Sequence, residues 1–361
     1  MTSSFAWRAS IASSFVLGLS DCRYAMDNHH FSEKRILITG GLGFIGSTLG
    51  RRLADLGADV LLVDSLIPEY GGNLFNIAGY EDKLKVNIAD VRDEYSMDYL
   101  VQGRDYLFNL AGQNSHLDSM RDPYTDLEIN CRAQLSILEA CRKNNPSIKI
   151  IFASTRQIYG KPDYLPVDER HLLRPIDVNG INKMAGEWYH ILYNNVYGIR
   201  AVSLRLTNTY GPRMRVKDAR QTFLGIWLKR LMDGEPLEIW GDGTAIRDFN
   251  YVDDVVDAML LAAVTDDSNG QIYNLGSDET INFRDLAELC VELNGRRSPS
   301  GDGGSYRIIP YPPDRKPIDI GDYYADYRRI RGKLGWRPQV SLREGLTRTL
   351  EYYRQHRQYY W

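Results

Sequence analysis

The chain has 361 residues, 43% hydrophobic and 25% charged, the balance of a globular protein rather than a disordered one. Its 44 basic and 47 acidic residues are well mixed and leave a formal net charge of −3, so no basic stripe marks a nucleic-acid surface. Four cysteines (Cys22, Cys131, Cys141, Cys290) stand apart without a CxxC pair. That argues against a disulfide framework or a zinc ribbon and for a reducing, cytoplasmic setting. No run of about 18 apolar residues offers a membrane span.

Residues 1–34 differ in texture from the rest. The mildly apolar patch Ser10–Leu19 follows Arg8, but it is interrupted by serines and has no clear cleavage signal, so it reads as a dispensable leader rather than an export signal. From Arg35 the pattern becomes regular. Ile36–Ile38 reads as a buried strand followed by a glycine-rich turn. Ile45, Leu49, Leu53 and Leu56 recur at helical spacing, Gly57 ends that helix, and Val60–Val63 is the next strand. Leu84–Ile88, Tyr106–Phe108, Ile148–Phe152 and Ala201–Leu206 read as further strands, with helices predicted over Tyr124–Lys143 and Ile181–Val196. Strands alternating with helices predict an α/β protein with a doubly wound parallel sheet. After Thr207, Pro and Gly become denser, a low-complexity loop spans Gly295–Ser305, and a surface helix at Ser341–His356 leads to the aromatic tail Tyr359–Trp361. The expected organisation is a nucleotide-binding domain over 35–206 and a smaller lobe over 207–361 with segments returning to the first.

The turn Thr39–Gly46 places glycines at 40, 43 and 46 between a strand and a helix. Such a turn lets the backbone approach a pyrophosphate, and the helix start at Phe44 and Ile45 offers N–H groups and partial positive charge to it. Asp64 ends the second strand where an adenosine ribose is expected. Its carboxylate accepts from both ribose hydroxyls and repels a 2′-phosphate, which favours NAD over NADP. Asp90 and Val91, after the third strand, are placed to meet the adenine edge.

The glycine spacing is the GxxGxxG form. Together with Asn109-Leu110-Ala111-Gly112, Ser154-Thr155-x-x-Ile158-Tyr159-Gly160, Arg205–Pro212 and Trp240–Asp254, it resembles the extended short-chain dehydrogenases/reductases, and more narrowly the nucleotide-sugar epimerases and dehydratases. The resemblance covers Arg35 to Arg354. It implies a Rossmann sheet, bound NAD and transient oxidation of a nucleotide-diphosphate sugar, with the cofactor regenerated in each cycle. It implies cofactor contacts from Leu110, Ala111, Gly112, Asn130 and Lys183, and places Thr155 and Lys183 in the catalytic positions. It also implies a homodimer paired through a four-helix bundle of the two long helices.

One departure bears on the chemistry. Where the family has its catalytic tyrosine, this chain has Asn179, four residues before Lys183 on the same helix face. An asparagine orients a hydroxyl but cannot take its proton. Three readings stay open: another group such as His116 (or Thr155 through a water held by Asn179 and Lys183) moves the proton; the chain binds its ligands without turnover; or the proton leaves a different carbon, as in a dehydratase or isomerase. Dehydratases of the family carry an acidic pair after the hydroxyl residue. Arg156-Gln157 stands here instead, so epimerisation, at C4, is the first expectation. Arg156 reads either as a surface residue or as a partner for a carboxylate or phosphate.

For the substrate, the resemblance implies that Asn208 and Arg247 meet the diphosphate, with Arg315 or Lys316 as a second clamp. The loop Met214–Phe223, carrying Arg220, is expected over the nucleotide base and resembles that of the CDP-tyvelose 2-epimerase type.

Overall fold

The computed structural model describes residues 29–218, 220, 222–295 and 304–361. The leader reading up to residue 28 and most of the low-complexity loop therefore lie outside the described residues. His29–Lys34 already belongs to the packed fold: Phe31 is 2% exposed and meets the Tyr106 ring edge-on.

A seven-stranded sheet has the order β10-β6-β5-β4-β1-β2-β3, with every neighbouring pair parallel. Its strands are β1 (Arg35–Thr39), β2 (Asp59–Asp64), β3 (Leu84–Ile88), β4 (Tyr106–Asn109), β5 (Lys149–Thr155), β6 (Arg200–Leu206) and β10 (Ile272–Asn274). The strand order reverses between β1 and β4, which opens a crevice at their carboxyl ends. Helix α1 (Phe44–Asp55) and α8 (Val252–Val264) cover one face, where Ile36, Ile38, Leu62, Val255 and Met259 share a core. The other face packs Leu37, Leu61, Leu107 and Ile150 against α2 (Glu94–Leu100) and α5 (Ala133–Asn144) through Met97, Ile137 and Cys141. At the edge, β3 leaves Val86 36% and Ile88 57% exposed, since among the described residues no further strand pairs with it.

The long helix predicted over Tyr124–Lys143 is present from Pro123 to Asn144 and widens into a π turn near its start. Short α3 (His116–Arg121) and α4 (Pro123–Leu127) lead into a π turn at Glu128–Arg132 before α5 begins. The wide turn is stabilised from within: the Gln134 amide donates to the Ile129 carbonyl and the Asn130 amide to the Gln113 carbonyl. Such turns recur at functional sites. Helix α6 (Val178–Tyr197) is longer than predicted, capped by Asp177 at its start and by left-handed Gly198 at its end. A buried Arg205–Glu187 ion pair at 2.6 Å fastens α6 to β6, and the Tyr159 hydroxyl bridges Arg205 to Asn274 of β10.

The lobe holds β7 (Asn208–Tyr210), β8 (Leu237–Trp240), β9 (Ile246–Tyr251), β11 (Thr280–Asn282) and β12 (Tyr306–Ile309) in two small sheets. Helices α7 (Phe223–Met232), α9 (Phe283–Gly295) and α11 (Leu342–His356) close it around Trp227, Leu237, Leu286, Leu346 and Tyr353, while α10 (Arg328–Leu334) packs on the main sheet. Two connections tie the halves together. The chain returns to the main sheet as β10, and the aromatic tail folds back on the cofactor domain: Tyr359 stacks on Phe75 at 3.6 Å and the Tyr360 hydroxyl donates to Asn76 Oδ1 at 2.6 Å. Among the described residues no helix is long and apolar enough to cross a membrane.

Candidate active site

A cleft of about 570 Å³ runs along the carboxyl edge of the sheet and under the lobe. It brings together Gly40, Gly43, Phe44, Ile45, Gly46, Asp64, Asp90, Val91, Leu110, Ala111 and Gly112 at one end, His116, Thr155, Asn179 and Lys183 in the middle, and Asn208, Arg220, Arg247 and Arg315 beyond. Two expected residues do not line it. Lys316 points to solvent at the start of a 3₁₀ turn, and Asn130 is fully buried behind the wall, where its Nδ2 donates to Gln113 O and Asp126 Oδ2. Asn130 therefore shapes the site through its neighbours rather than through contact with the cleft.

The cofactor end is built from backbone. Gly40 has φ +66°, and a Cβ there would press on Leu110 and Ala111 at 3.0 Å. A Cβ at Gly46 would come within 2.2 Å of the Gly40 carbonyl oxygen. Helix α1 starts at Gly43 without a side-chain cap or an acidic residue in its first turn, so its N–H groups and positive end stay available to an anion. Asp64 is mostly buried. It accepts the backbone N–H of Leu42 at 3.1 Å and of Leu66 at 3.0 Å, while burial pushes its carboxyl above the ordinary range. Asp90 lines the same end with its carboxylate held by Arg92. A glycine cradle, a helix start and a carboxylate at the end of β2 together fit a dinucleotide.

In the middle, Thr155 ends β5 and its Oγ1 accepts the Gln157 N–H at 3.2 Å. Lys183 is buried beside Gly112, with Nζ donating to Ala153 O at 3.2 Å. Desolvation lowers its ammonium to about 8, partly opposed by the charge of Asp126. Asn179 is 3% exposed, and its amide hydrogens are spent inward on Gln113 O at 2.7 Å and Asp126 Oδ2 at 3.0 Å. What it can offer the cleft is its carbonyl oxygen, an acceptor that does not titrate. Buried Asp126 also takes the Asn182 amide at 2.8 Å, so three asparagines share one carboxylate.

His116 opens α3 and is half-exposed to the cleft. Its Nδ1 lies 3.1 Å from Asp177 Oδ2. Asp177 is 2% exposed and also receives Gln157 Nε2 at 3.0 Å and the Gly180 N–H at 2.6 Å. Burial pushes this carboxyl up, but His116, Gln157 and the Gly180 N–H together hold it below the ordinary range. A buried carboxylate beside Nδ1 leaves Nε2 as the nitrogen that can serve a ligand.

At the substrate end, Arg247 is 5% exposed. It donates to the carbonyls of Ile246 and Gly321 and stands 3.6 Å from Asp319, and burial followed by repulsion from Arg156 lowers it to about 10. Arg220 pairs with Asp118 at 3.0 Å, and Arg315 lies over the Trp240 ring at 4.2 Å. Asn208 is held at both ends of its amide, accepting from Arg156 and donating to Asp248 O. Sequence reasoning missed Asp177, Gln113 and Asp126. The first had a signal, an aspartate just before a helical run; the others had none. Among the described residues no cluster of His, Cys, Asp or Glu could hold a metal ion.

Residues 36–276 match the model of the NAD dependent epimerase/dehydratase family. The chain is 33% identical over 325 residues to a putative UDP-glucose 4-epimerase of Methanocaldococcus jannaschii, covering 88% of this chain and 97% of that one. The structure superposes on the UDP-glucose 4-epimerase of Thermotoga maritima with UDP-glucose at TM-score 0.79 and 33% identity, covering 89% and 99% of the two chains. It superposes on MoeE5 in complex with UDP-glucuronic acid and NAD at TM-score 0.76 and 26% identity, with coverage of 89% and 99%. The chain belongs to the NAD-dependent nucleotide-sugar epimerase/dehydratase family, on the extended short-chain dehydrogenase/reductase fold.

Proposed function

We propose that this protein epimerises a nucleotide-diphosphate sugar at C4 through a transient keto sugar, with the His116–Asp177 pair moving the proton. The observation that carries the reading is the single cleft joining a dinucleotide cradle, a hydroxyl–lysine pair and a ring of arginines. Gly40, Gly43, Gly46 and Asp64 hold NAD, and bound NAD supplies the hydride acceptor and donor. Thr155 orients the sugar hydroxyl, and Asn179 holds it as an acceptor. With the cofactor bound, His116 Nε2 would take the proton of the reacting hydroxyl, Asp177 would stabilise the resulting imidazolium, and His116 would hand the same proton back to that oxygen when the hydroxyl re-forms. Lys183 keeps a cation beside the cofactor's binding site. Arg220, Arg247, Arg315 and Asn208 grip the diphosphate.

The UDP-glucose 4-epimerases among the relatives support a UDP-linked sugar as the first one to try. Incubation with UDP-glucose and UDP-galactose, resolved by chromatography, tests the reaction: interconversion supports it. Tight binding without product from any UDP-, dTDP-, GDP- or CDP-sugar supports the second reading, a silent binding protein, which the non-titrating Asn179 favours.

A homodimer accompanies this reading. Ile181, Trp188, Leu192 and Val196 are all close to half exposed or more along α6, and Tyr124 and Leu127 extend the apolar surface on α4. Sedimentation of the Trp188→Glu variant against the unaltered chain tests it, with a monomer as the expected result. The cytoplasmic assignment rests on the free thiols of Cys131, Cys141 and Cys290.

A further inference from the structure

Arg156 follows Thr155 directly and lines the cleft, on none of the elements that hold the cofactor. It is not the surface arginine of one sequence reading. Among the described residues it makes one hydrogen bond, Nη2 to Asn208 Oδ1 at 3.0 Å, and no ion pair. Its Nη1 is shut off from solvent without a partner. The Tyr323 ring, 5.2 Å away, offers it only a quadrupole.

The neighbouring carboxylates are engaged elsewhere. Asp248 accepts from Thr207 and from the Ala325 N–H, Asp319 faces Arg247, and Asp177 holds His116 and Gln157. Arg247 adds a second, repelling cation. A guanidinium with five donors, one of them hydrogen-bonded, and no carboxylate within ion-pair distance among the described residues is costly to keep in the unliganded protein. The cost is offset when a ligand anion arrives.

We propose that Arg156 receives an oxyanion of the bound substrate. This rests on the reading of the cleft as a nucleotide-sugar site. Two parts of such a ligand supply that chemistry, a carboxylate on the sugar ring and the phosphate next to it. Arg156 adjoins Thr155 on one side and bonds Asn208 on the other, so both the carboxylate of a uronic sugar and the sugar-side phosphate fall to it, and affinities for the two kinds of ligand separate them.

The test uses the full chain with bound NAD and calorimetry against UDP, UDP-glucose and UDP-glucuronic acid. Arg156→Gln should weaken UDP-glucuronic acid by about tenfold or more, with UDP and UDP-glucose changed less than about twofold where the sugar carboxylate is the oxyanion, and Arg156→Lys should recover part of the loss. An equal loss of about tenfold for all three ligands also supports the proposal and identifies the phosphate as the oxyanion. Unchanged affinity for all three overturns it. The ligand-free melting temperature provides a second reading. Removing an unneutralised charge should leave it level or raise it, whereas a fall with unchanged affinities assigns Arg156 to the fold and overturns the proposal. If the unaltered protein binds UDP poorly or not at all, the nucleotide-sugar reading itself fails, and that outcome is distinct from a variant that merely matches the unaltered chain.

Discussion

The end of the cleft at the glycine turn is made mostly of backbone, and the end under the lobe mostly of side chains. The first takes its shape from Gly40, Gly46 and the bare start of α1, with one carboxylate at Asp64. The second draws on α3, β5, α6, β7, β9 and the segment around Tyr311–Asp319, and His116, Asn179 and Asn208 there depend on partners from distant parts of the chain. Backbone-built sites tolerate little change in shape, whereas side-chain-built sites can exchange one chemical group for another while the scaffold stays put. Asn179 belongs to the second kind: its amide is held by Gln113 and Asp126, partners more than 50 positions away.

Four substitutions break or sharpen this contrast. His116→Gln should lower kcat by about 10²–10⁴-fold while NAD content and UDP affinity stay level; undiminished turnover would move the proton transfer to another group. Gly46→Ala, whose Cβ would meet the Gly40 oxygen at 2.2 Å, should lower NAD affinity by about a hundredfold. Nucleotide content after purification and calorimetry read that loss, and near-normal binding would show that the turn has more slack than its contacts imply. Asp64→Asn should cost about tenfold in NAD affinity and narrow the preference over NADP, as competition binding would report.

The smallest effect concerns pH. Lys183 titrates near 8 when folded and near 10.5 when unfolded, so between those values the unfolded chain binds more protons. The burial penalty of the ammonium is complete below pH 8 and fades as pH rises to 10.5. Relative to Lys183→Met, the unaltered chain should therefore gain on the order of 1 kcal/mol over that window, measured by urea unfolding at each pH. A gap independent of pH would mean that the ammonium is better solvated than its position suggests.

Much of the fold was legible because its signals are local. The strand–turn–helix–strand run from Ile36 to Asp64 can be read from apolar spacing and glycines alone, and the strands that follow obey the same alternation. The π turn at Glu128–Arg132 was not legible, since it depends on Gln134 and Asn130 finding carbonyls that only the folded chain brings within reach. At the site, Thr155, Lys183 and Arg247 could be located by motif, and the cleft gathers them. Asp177 and Asp126 belong to it through contacts across about 50 to 60 positions, such as Asp126 to Asn179 and to Asn182, which no single stretch of sequence reveals. Lys316 misled because adjacent Arg315 and Lys316 face opposite ways, one over Trp240 and the other into water.

The folding back of Tyr359 and Tyr360 onto Phe75 and Asn76 has a consequence for traffic through the molecule. With that clasp at one side and β10 stitched into the sheet at the other, the lobe is anchored at two separate places. Wide opening of the cleft would therefore have to break the Phe75–Tyr359 stack and the Tyr360–Asn76 hydrogen bond.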